Sequence, residues 1–241
     1  MEFWRDKFRE APVTAALSVV LAVCFALEFV MPPAWTGALV LSRDALDRGA
    51  WWTVATHLFL HANLLHLMVN VLTLWFVGPE VERLLGRVRF LVLYFVSGAA
   101  GGLLQIYFSS SPSEQLVGAS GSVCGVLLSL TTAYPELPLR ALLFFVLPVS
   151  MKAKTLGRGL IVVSLLAAVL RIVPQIGHLA HLGGALAGWL LTKWWAPAGE
   201  PRRAPARSTD ELLARVMEDG IEGLSREERR QLGELASRRE P

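Results

Sequence analysis

The sequence predicts an all-α polytopic membrane protein: a bundle of six transmembrane helices followed by a small cytosolic helical hairpin at the C-terminus. Three observations carry that expectation. The chain has 241 residues, 54% of them hydrophobic, and its mean hydropathy of +0.48 is too apolar for a water-soluble domain of this length. The apolar residues gather into runs of the length a helix needs to cross a hydrocarbon core of roughly 30 Å. Lys and Arg crowd alternate connecting segments and avoid the others, as membrane topology demands.

The runs cover 13–31, 61–78, 89–108, 120–134, 156–172 and 177–195. The first follows Arg5, Lys7 and Arg9. It is long for the apolar part of a signal peptide and lacks a small-residue cleavage site, so it is expected to stay as a span. With the N-terminus inside, the inner segments also hold Arg83, Arg87, Arg89, Arg140, Lys152, Lys154 and Arg158. The outer ones hold Arg43, Arg48 and Arg171, so both termini are expected in the cytoplasm. The piece "LRALLFFVLP" at 139–148 is too short and too Pro-bounded to cross; it is expected at the interface, as a hairpin or re-entrant stretch. Trp51, Trp52, Trp194 and Trp195 suit interfacial belts.

The domain plan is therefore a cytosolic segment over 1–12, a membrane domain over 13–196, a linker over 197–207 and a helical hairpin over 208–241. The linker is rich in Pro, Ala and Arg. Ser208 with Glu211, and Ser225 with Glu228, are capping-box patterns announcing two short amphipathic helices. The hairpin is expected to be a solvated appendage or a docking module for a cytosolic partner.

Composition also excludes functions. The pI of about 9.1 comes with a net charge of only +3, and the basic residues sit at the ends of apolar runs, so no nucleic-acid partner is implied. Cys24 and Cys124 lie inside apolar runs and form neither a disulfide framework nor a zinc pattern. There is no His-Glu-x-x-His; His57 and His61 are four apart with no carboxylate between them, and are expected to be interfacial loop residues. No metal and no cofactor are implied. A transporter would place charged residues near the middle of several spans, and Glu28, the main candidate, lies near the outer end of the first.

Polar side chains at membrane depth are costly and usually face the bundle interior or a water-filled cavity. Three sets stand out. His66 and Asn70, four apart, share one helix face in the outer half of the second span. Alone they would read as glue between helices. Ser120, in "GASG", opens the fourth span at its outer end, where free backbone N–H groups await an anion. Alone it would read as a cap or a small packing residue. His181, with His178 one turn earlier, lies near the outer end of the sixth span, level with Ser120.

Glycine spacing joins these sets. Gly121 and Gly125 form a small-xxx-small stripe in the fourth span, and Gly184 and Gly188 form another in the sixth. Ser120 precedes Gly121, and His181 is on the same face as Gly184. If the stripes face each other, a hydroxyl and an imidazole meet at the outer end of the contact, as an activated serine nucleophile requires. No Asp or Glu lies between Ile172 and Pro197, so the unit would be a dyad. His181 is favoured as the base; His178, one turn nearer water, would line the entrance.

These motifs, in this order from about Trp51 to Leu191, resemble the rhomboid family of intramembrane serine proteases. "HLFLHANLLHLMVN" resembles its second-helix signature, "ERLLGRVRF" its inner-loop motif, "GASG" its nucleophile motif and "AHLGGALAG" its last-helix motif. The resemblance implies Ser120 as nucleophile, His181 as general base, and His66 and Asn70 as oxyanion partners. It further implies six helices around a water-filled cavity open to the outer face, and single-span membrane proteins as substrates, cut near the outer part of their helix. With the Ala-, Arg- and Leu-rich composition, the expected location is a bacterial cytoplasmic membrane. A non-catalytic rhomboid-like binder of membrane clients is the rival reading, but it needs neither Ser120 nor His181. Two positions depart from the family. Trp51-Trp52 stands where the first outer loop often has Trp-Arg. Cys124 stands where related proteins often set an aromatic ring against the histidine, so something else must hold His181.

Overall fold

A computed structural model describes residues 11–143, 147–172, 176–195 and, between 212 and 237, all but 215, 218–219 and 225. The cytosolic segment over 1–10, the linker, and the capping residues Ser208, Glu211 and Ser225 lie outside the described residues. The chain divides into two compact units, Met1–Glu200 and Pro201–Pro241.

Apolar helices occupy each of the six expected positions: α1 (Pro12–Glu28), then, beyond three one-turn helices α2 (Pro33–Gly37), α3 (Arg43–Asp47) and α4 (Thr53–Thr56), α5 (Leu64–Leu85), α6 (Arg87–Tyr107), α7 (Ser120–Ala133), α8 (Ala153–Val169) and α9 (His178–Trp195). Two of these, α5 and α6, are long and apolar enough to cross a membrane by length and composition, with mean hydropathies of 1.5 and 1.6. The other four are shorter, 17, 14, 17 and 18 residues in chain order. The outward faces of three of them are nonetheless apolar. Val19, Val23 and Leu27 of α1, Val162, Val163, Leu166 and Val169 of α8, and Leu186 and Leu190 of α9 are all exposed. Faces of that extent have no stable place in water.

Helix α5 differs from the expected second span. It runs on from 78 through Pro79 to Leu85, where Gly86 takes φ 78° and turns the chain into α6. The extra turns carry the buried Glu82, which explains why the helix continues. Its carboxylate accepts from the amides of Val13 (3.0 Å) and Thr14 (2.7 Å) and from the Thr14 hydroxyl (2.8 Å). Ala11 offers α1 no side-chain cap, so Glu82 satisfies the first-turn donors that every helix leaves open. Glu82→Ala should strand these buried donors and lower stability by about 3 kcal/mol, with Glu82→Gln losing less because one oxygen remains. Denaturant unfolding in detergent micelles would measure both; equal stability of Glu82→Ala and wild type would refute this role.

The expected interfacial hairpin is a two-stranded antiparallel sheet, β1 (Pro138–Leu143) and β2 (Leu147–Lys152), with Pro138 opposite Lys152. At its base Glu136 bonds Lys152 (2.8 Å) and Lys154. Those two hydrogen bonds pull the exposed Glu136 carboxyl down to about 2.

The core centres on α7, where every residue from Gly121 to Thr131 is buried. Helix α9 packs chiefly against α7 and α6. Near the C-terminal ends of α7 and α9 the Thr192 hydroxyl donates to the Gly188 carbonyl (2.7 Å) and meets the Ser129 hydroxyl at 2.8 Å. In the second unit, α10 (Arg226–Ser237) follows a 3₁₀ turn, Ile221–Gly223. Leu212 and Leu224 are buried there, and the Arg229 side chain donates to the Leu224 carbonyl (3.0 Å).

Candidate active site

Ser120 is the first residue of α7, so its amide and those that follow belong to the open first turn. The segment before it is held from several sides. Leu116 exchanges both backbone hydrogen bonds with Leu41 (3.2 and 2.8 Å), and the Gly118 amide donates to the His57 carbonyl (2.9 Å). Asp44 donates its amide to the Pro112 carbonyl (3.0 Å), and the Arg43 guanidinium donates to the Ser109 carbonyl (3.0 Å). The loop between α1 and α5 is thus a frame around the segment that leads to Ser120. It is braced in turn by the Trp52 indole, which donates to the Ala38 carbonyl (2.8 Å), and by the Thr56 hydroxyl on the Leu39 carbonyl (2.8 Å). Trp52 therefore anchors this loop itself, despite the departure at that position.

Gly118 has φ +122°, which side-chain-bearing residues rarely adopt. A Cβ there would also lie 2.8 Å from Nε2 of His66. The His66 ring therefore rests on the backbone two residues before Ser120. Its own helix begins at the Asn63 cap, whose Oδ1 accepts from the His66 amide (2.8 Å). Asn70, 2% exposed, donates from Nδ2 to the His66 carbonyl (2.9 Å), leaving one amide hydrogen uncommitted by that bond.

His181 sits in the first turn of α9, its amide donating to the Gly177 carbonyl (3.1 Å). The His178 ring stands edge-on to it, centroids 6.1 Å apart and planes at 88°. The backbones of the two helices touch at this level. A Cβ on Gly121 would stand 3.3 Å from the Ala180 carbonyl oxygen, and one on Gly184 would run into the carbonyl of Gly121. One turn deeper, a Cβ on Gly188 would strike the Gly125 carbonyl. Ser120 and His181 flank this contact, both half-buried. No hydrogen bond joins them among the described residues. Catalytic hydrogen bonds are often long before substrate binds.

A third glycine row, absent from the sequence reading, completes the seam. A Cβ on Gly101 of α6 would collide with the Ala180 carbonyl, and one on Gly183 would lie 2.9 Å from the Gly101 Cα. The "SGAAGG" run at 97–102 carried that signal in the sequence. His57 and His61, in the connection before α5, are buried within the protein, 1% and 3% exposed. His57 packs where a Cβ on Gly102 would meet its ring at 2.9 Å, and its Nδ1 lies 2.8 Å from the Thr53 carbonyl. The His61 ring meets that of His66 with centroids 5.2 Å apart, and the Glu28 carboxylate accepts from its amide (3.0 Å). Among the described residues no cluster of His, Cys, Asp and Glu is built to hold a metal ion.

The model of the rhomboid domain matches residues 48–196. The chain belongs to the rhomboid family. That family is membrane-integral, so the exposed apolar faces of the helices meet lipid. Among its relatives is the rhomboid protease GluP of Bacillus subtilis (strain 168), 34% identical over 148 residues, which are 61% of this chain and 26% of that protein. The protein YdcA of the same strain is 31% identical over 182 residues, 73% of this chain and 83% of that one. The mitochondrial presenilin-associated rhomboid-like protein A of Danio rerio is 34% identical over 132 residues, 54% of this chain and 34% of that protein. This rhomboid chain thus spans about a quarter of GluP's length and most of YdcA's.

Proposed function

We propose that the protein is an intramembrane serine endopeptidase in which Ser120 and His181 form the catalytic dyad. The observation that supports this is the backbone contact of Gly121, next to Ser120, with Ala180 and Gly184, which lie one residue before and three after His181. The six apolar helices are read as six spans with both termini cytoplasmic, in a bacterial cytoplasmic membrane. At 14 residues, α7 rises about 21 Å, less than a hydrocarbon core of roughly 30 Å. In this reading it is the end at Ser120 that falls short of the outer surface, where a water-filled cavity is needed to supply the hydrolytic water.

In this reading Ser120 Oγ attacks a peptide carbonyl while His181 takes its proton. The oxyanion meets the Ser120 amide, the His66 ring and the second amide hydrogen of Asn70, whose side chain is already held by its bond to the His66 carbonyl. The imidazolium returns its proton to the leaving amine. Water, deprotonated by the same imidazole, then releases the acyl group. Substrates are single-span membrane proteins. A peptide bond inside a helix is shielded by its own ladder, so cleavage favours segments that unwind at Gly, Pro or small residues. No metal or cofactor enters the mechanism.

The deciding experiment is cleavage of a reporter helix in liposomes together with fluorophosphonate labelling. Labelling confined to Ser120, with cleavage lost in Ser120→Ala, supports the assignment; equal cleavage by Ser120→Ala and wild type refutes it. A folded wild type that neither labels nor cleaves identifies a non-catalytic binder. Asn70→Ala should lower kcat by about 10²–10³ with KM little changed, since the oxyanion exists only on the reaction path. A purely structural Asn70 would instead show its loss in thermal stability.

A further inference from the structure

The first turn of α9 carries the base, and all four of its open amides have partners. His178 donates to the Ile176 carbonyl (2.8 Å) and His181 to the Gly177 carbonyl (3.1 Å). The two between them, Leu179 (3.1 Å) and Ala180 (3.3 Å), both donate to one atom, Oε1 of Gln105, which lies more than seventy residues away near the end of α6. The other end of the same amide donates from Nε2 to Glu114 Oε1 (3.3 Å). Glu114 belongs to the segment that leads to Ser120, two residues before Leu116 and its bridge to Leu41.

We propose that Gln105 is a positioning residue, a single side-chain amide that caps the helix of the base and ties it to the nucleophile segment through Glu114. This rests on the dyad assignment above. The arrangement is polarised in a consistent sense. The Glu114 carboxylate draws on the amide hydrogens, which makes Oε1 a better acceptor, and Oε1 faces the positive end of α9. The Gly121–Ala180–Gly101 seam fixes how closely the helices approach, but a seam of glycine backbones leaves sliding and rotation weakly opposed. Hydrogen bonds to two successive first-turn amides oppose both, one residue from His181. A cleft of about 290 Å³, lined by Gln105, Glu114, Arg171 and His178 among others, opens beside the pair. Without the Gln105 side chain, water would reach those amides.

The test uses the full chain in liposomes: wild type, Gln105→Ala, Gln105→Glu, and the exchange Gln105→Glu with Glu114→Gln. The exchange keeps every hydrogen bond and reverses the polarity of one, because a carboxylate at 105 still accepts from the helix and now also from the side-chain amide placed at 114. Two readouts are taken, kcat and KM for a reporter helix, and hydrogen–deuterium exchange over residues 177–183. Gln105→Ala should speed exchange there and lower kcat roughly ten- to a hundredfold with KM within about twofold. Gln105→Glu should fall short of wild type because two carboxylates then face each other, and the double variant should recover both readouts to within about threefold. Unchanged exchange in Gln105→Ala overturns the cap. Faster exchange with unchanged kcat overturns the positioning role, as does a double variant no better than Gln105→Glu, a comparison that does not depend on Gln105→Ala folding. If wild type fails to cleave, the dyad reading fails and the positioning role with it, while the exchange data still decide the cap.

Discussion

Ser120→Ala and His181→Ala should each lower single-turnover cleavage by about 10⁴-fold or more, and the double variant should be no slower than either. A nucleophile and its base act as one unit: without the imidazole the hydroxyl is a poor nucleophile, and without the hydroxyl the imidazole has no proton to take. The residual rate reflects binding and the oxyanion donors alone. Double-variant loss equal to the product of the single losses would mean two independent contributions, which a dyad does not make. Fluorophosphonate should label His181→Ala far more slowly than wild type at the same Ser120. Thermal stability should move little, since Ser120 and His181 are half-buried and make no hydrogen bond to each other in the resting structure. A large fall in stability would assign them to packing instead.

Helix positions were legible because apolar runs of span length have few other uses. The ends of α6, α7 and α9 lie within two residues of the expected 89–108, 120–134 and 177–195. The second span was harder. Gly78-Pro79 followed by Glu80 looks like a stop signal, yet the helix continues to Leu85 because Glu82 finds its partners on α1 rather than in water. Such a pairing joins residues 68 apart and leaves no local trace. The burial of His57 and His61 leaves no local trace either. Nothing in that short loop announces that Gly102 and Gly118 bring a neighbouring helix and the segment leading to Ser120 against His57. The stripes of α7 and α9 could be read from spacing alone, but the α6 row at Gly98, Gly101 and Gly102 has an irregular spacing that names no partner. Gln105 shows the limit most clearly. A glutamine at the end of a span is unremarkable as a letter, and its use depends wholly on which amides the fold brings to it.

The same single methyl should be ruinous at one glycine and harmless at another. Gly184→Ala would place its Cβ inside the carbonyl of Gly121, and both atoms belong to helix backbones that cannot swing aside as a flexible side chain can. Helices α7 and α9 must then part by about an ångström, a displacement that can cost 10²-fold in rate when it falls between reacting groups. Separation also sacrifices close packing along the seam, which in lipid is a principal force holding helices together. Gly184→Ala should therefore lose at least about 100-fold in cleavage and unfold at lower temperature in detergent. Gly159, within α8, has nothing within 4 Å of its missing Cβ. There Gly159→Ala should leave cleavage unchanged and raise stability by up to about 1 kcal/mol, through helix propensity alone. Gly188→Ala meets the Gly125 carbonyl one turn deeper. It should match Gly184→Ala in lost stability yet cost less in rate, because the outer end of the seam can stay closed while the inner end opens. If Gly184→Ala retained full activity, the glycine contact would not be what brings Ser120 and His181 together.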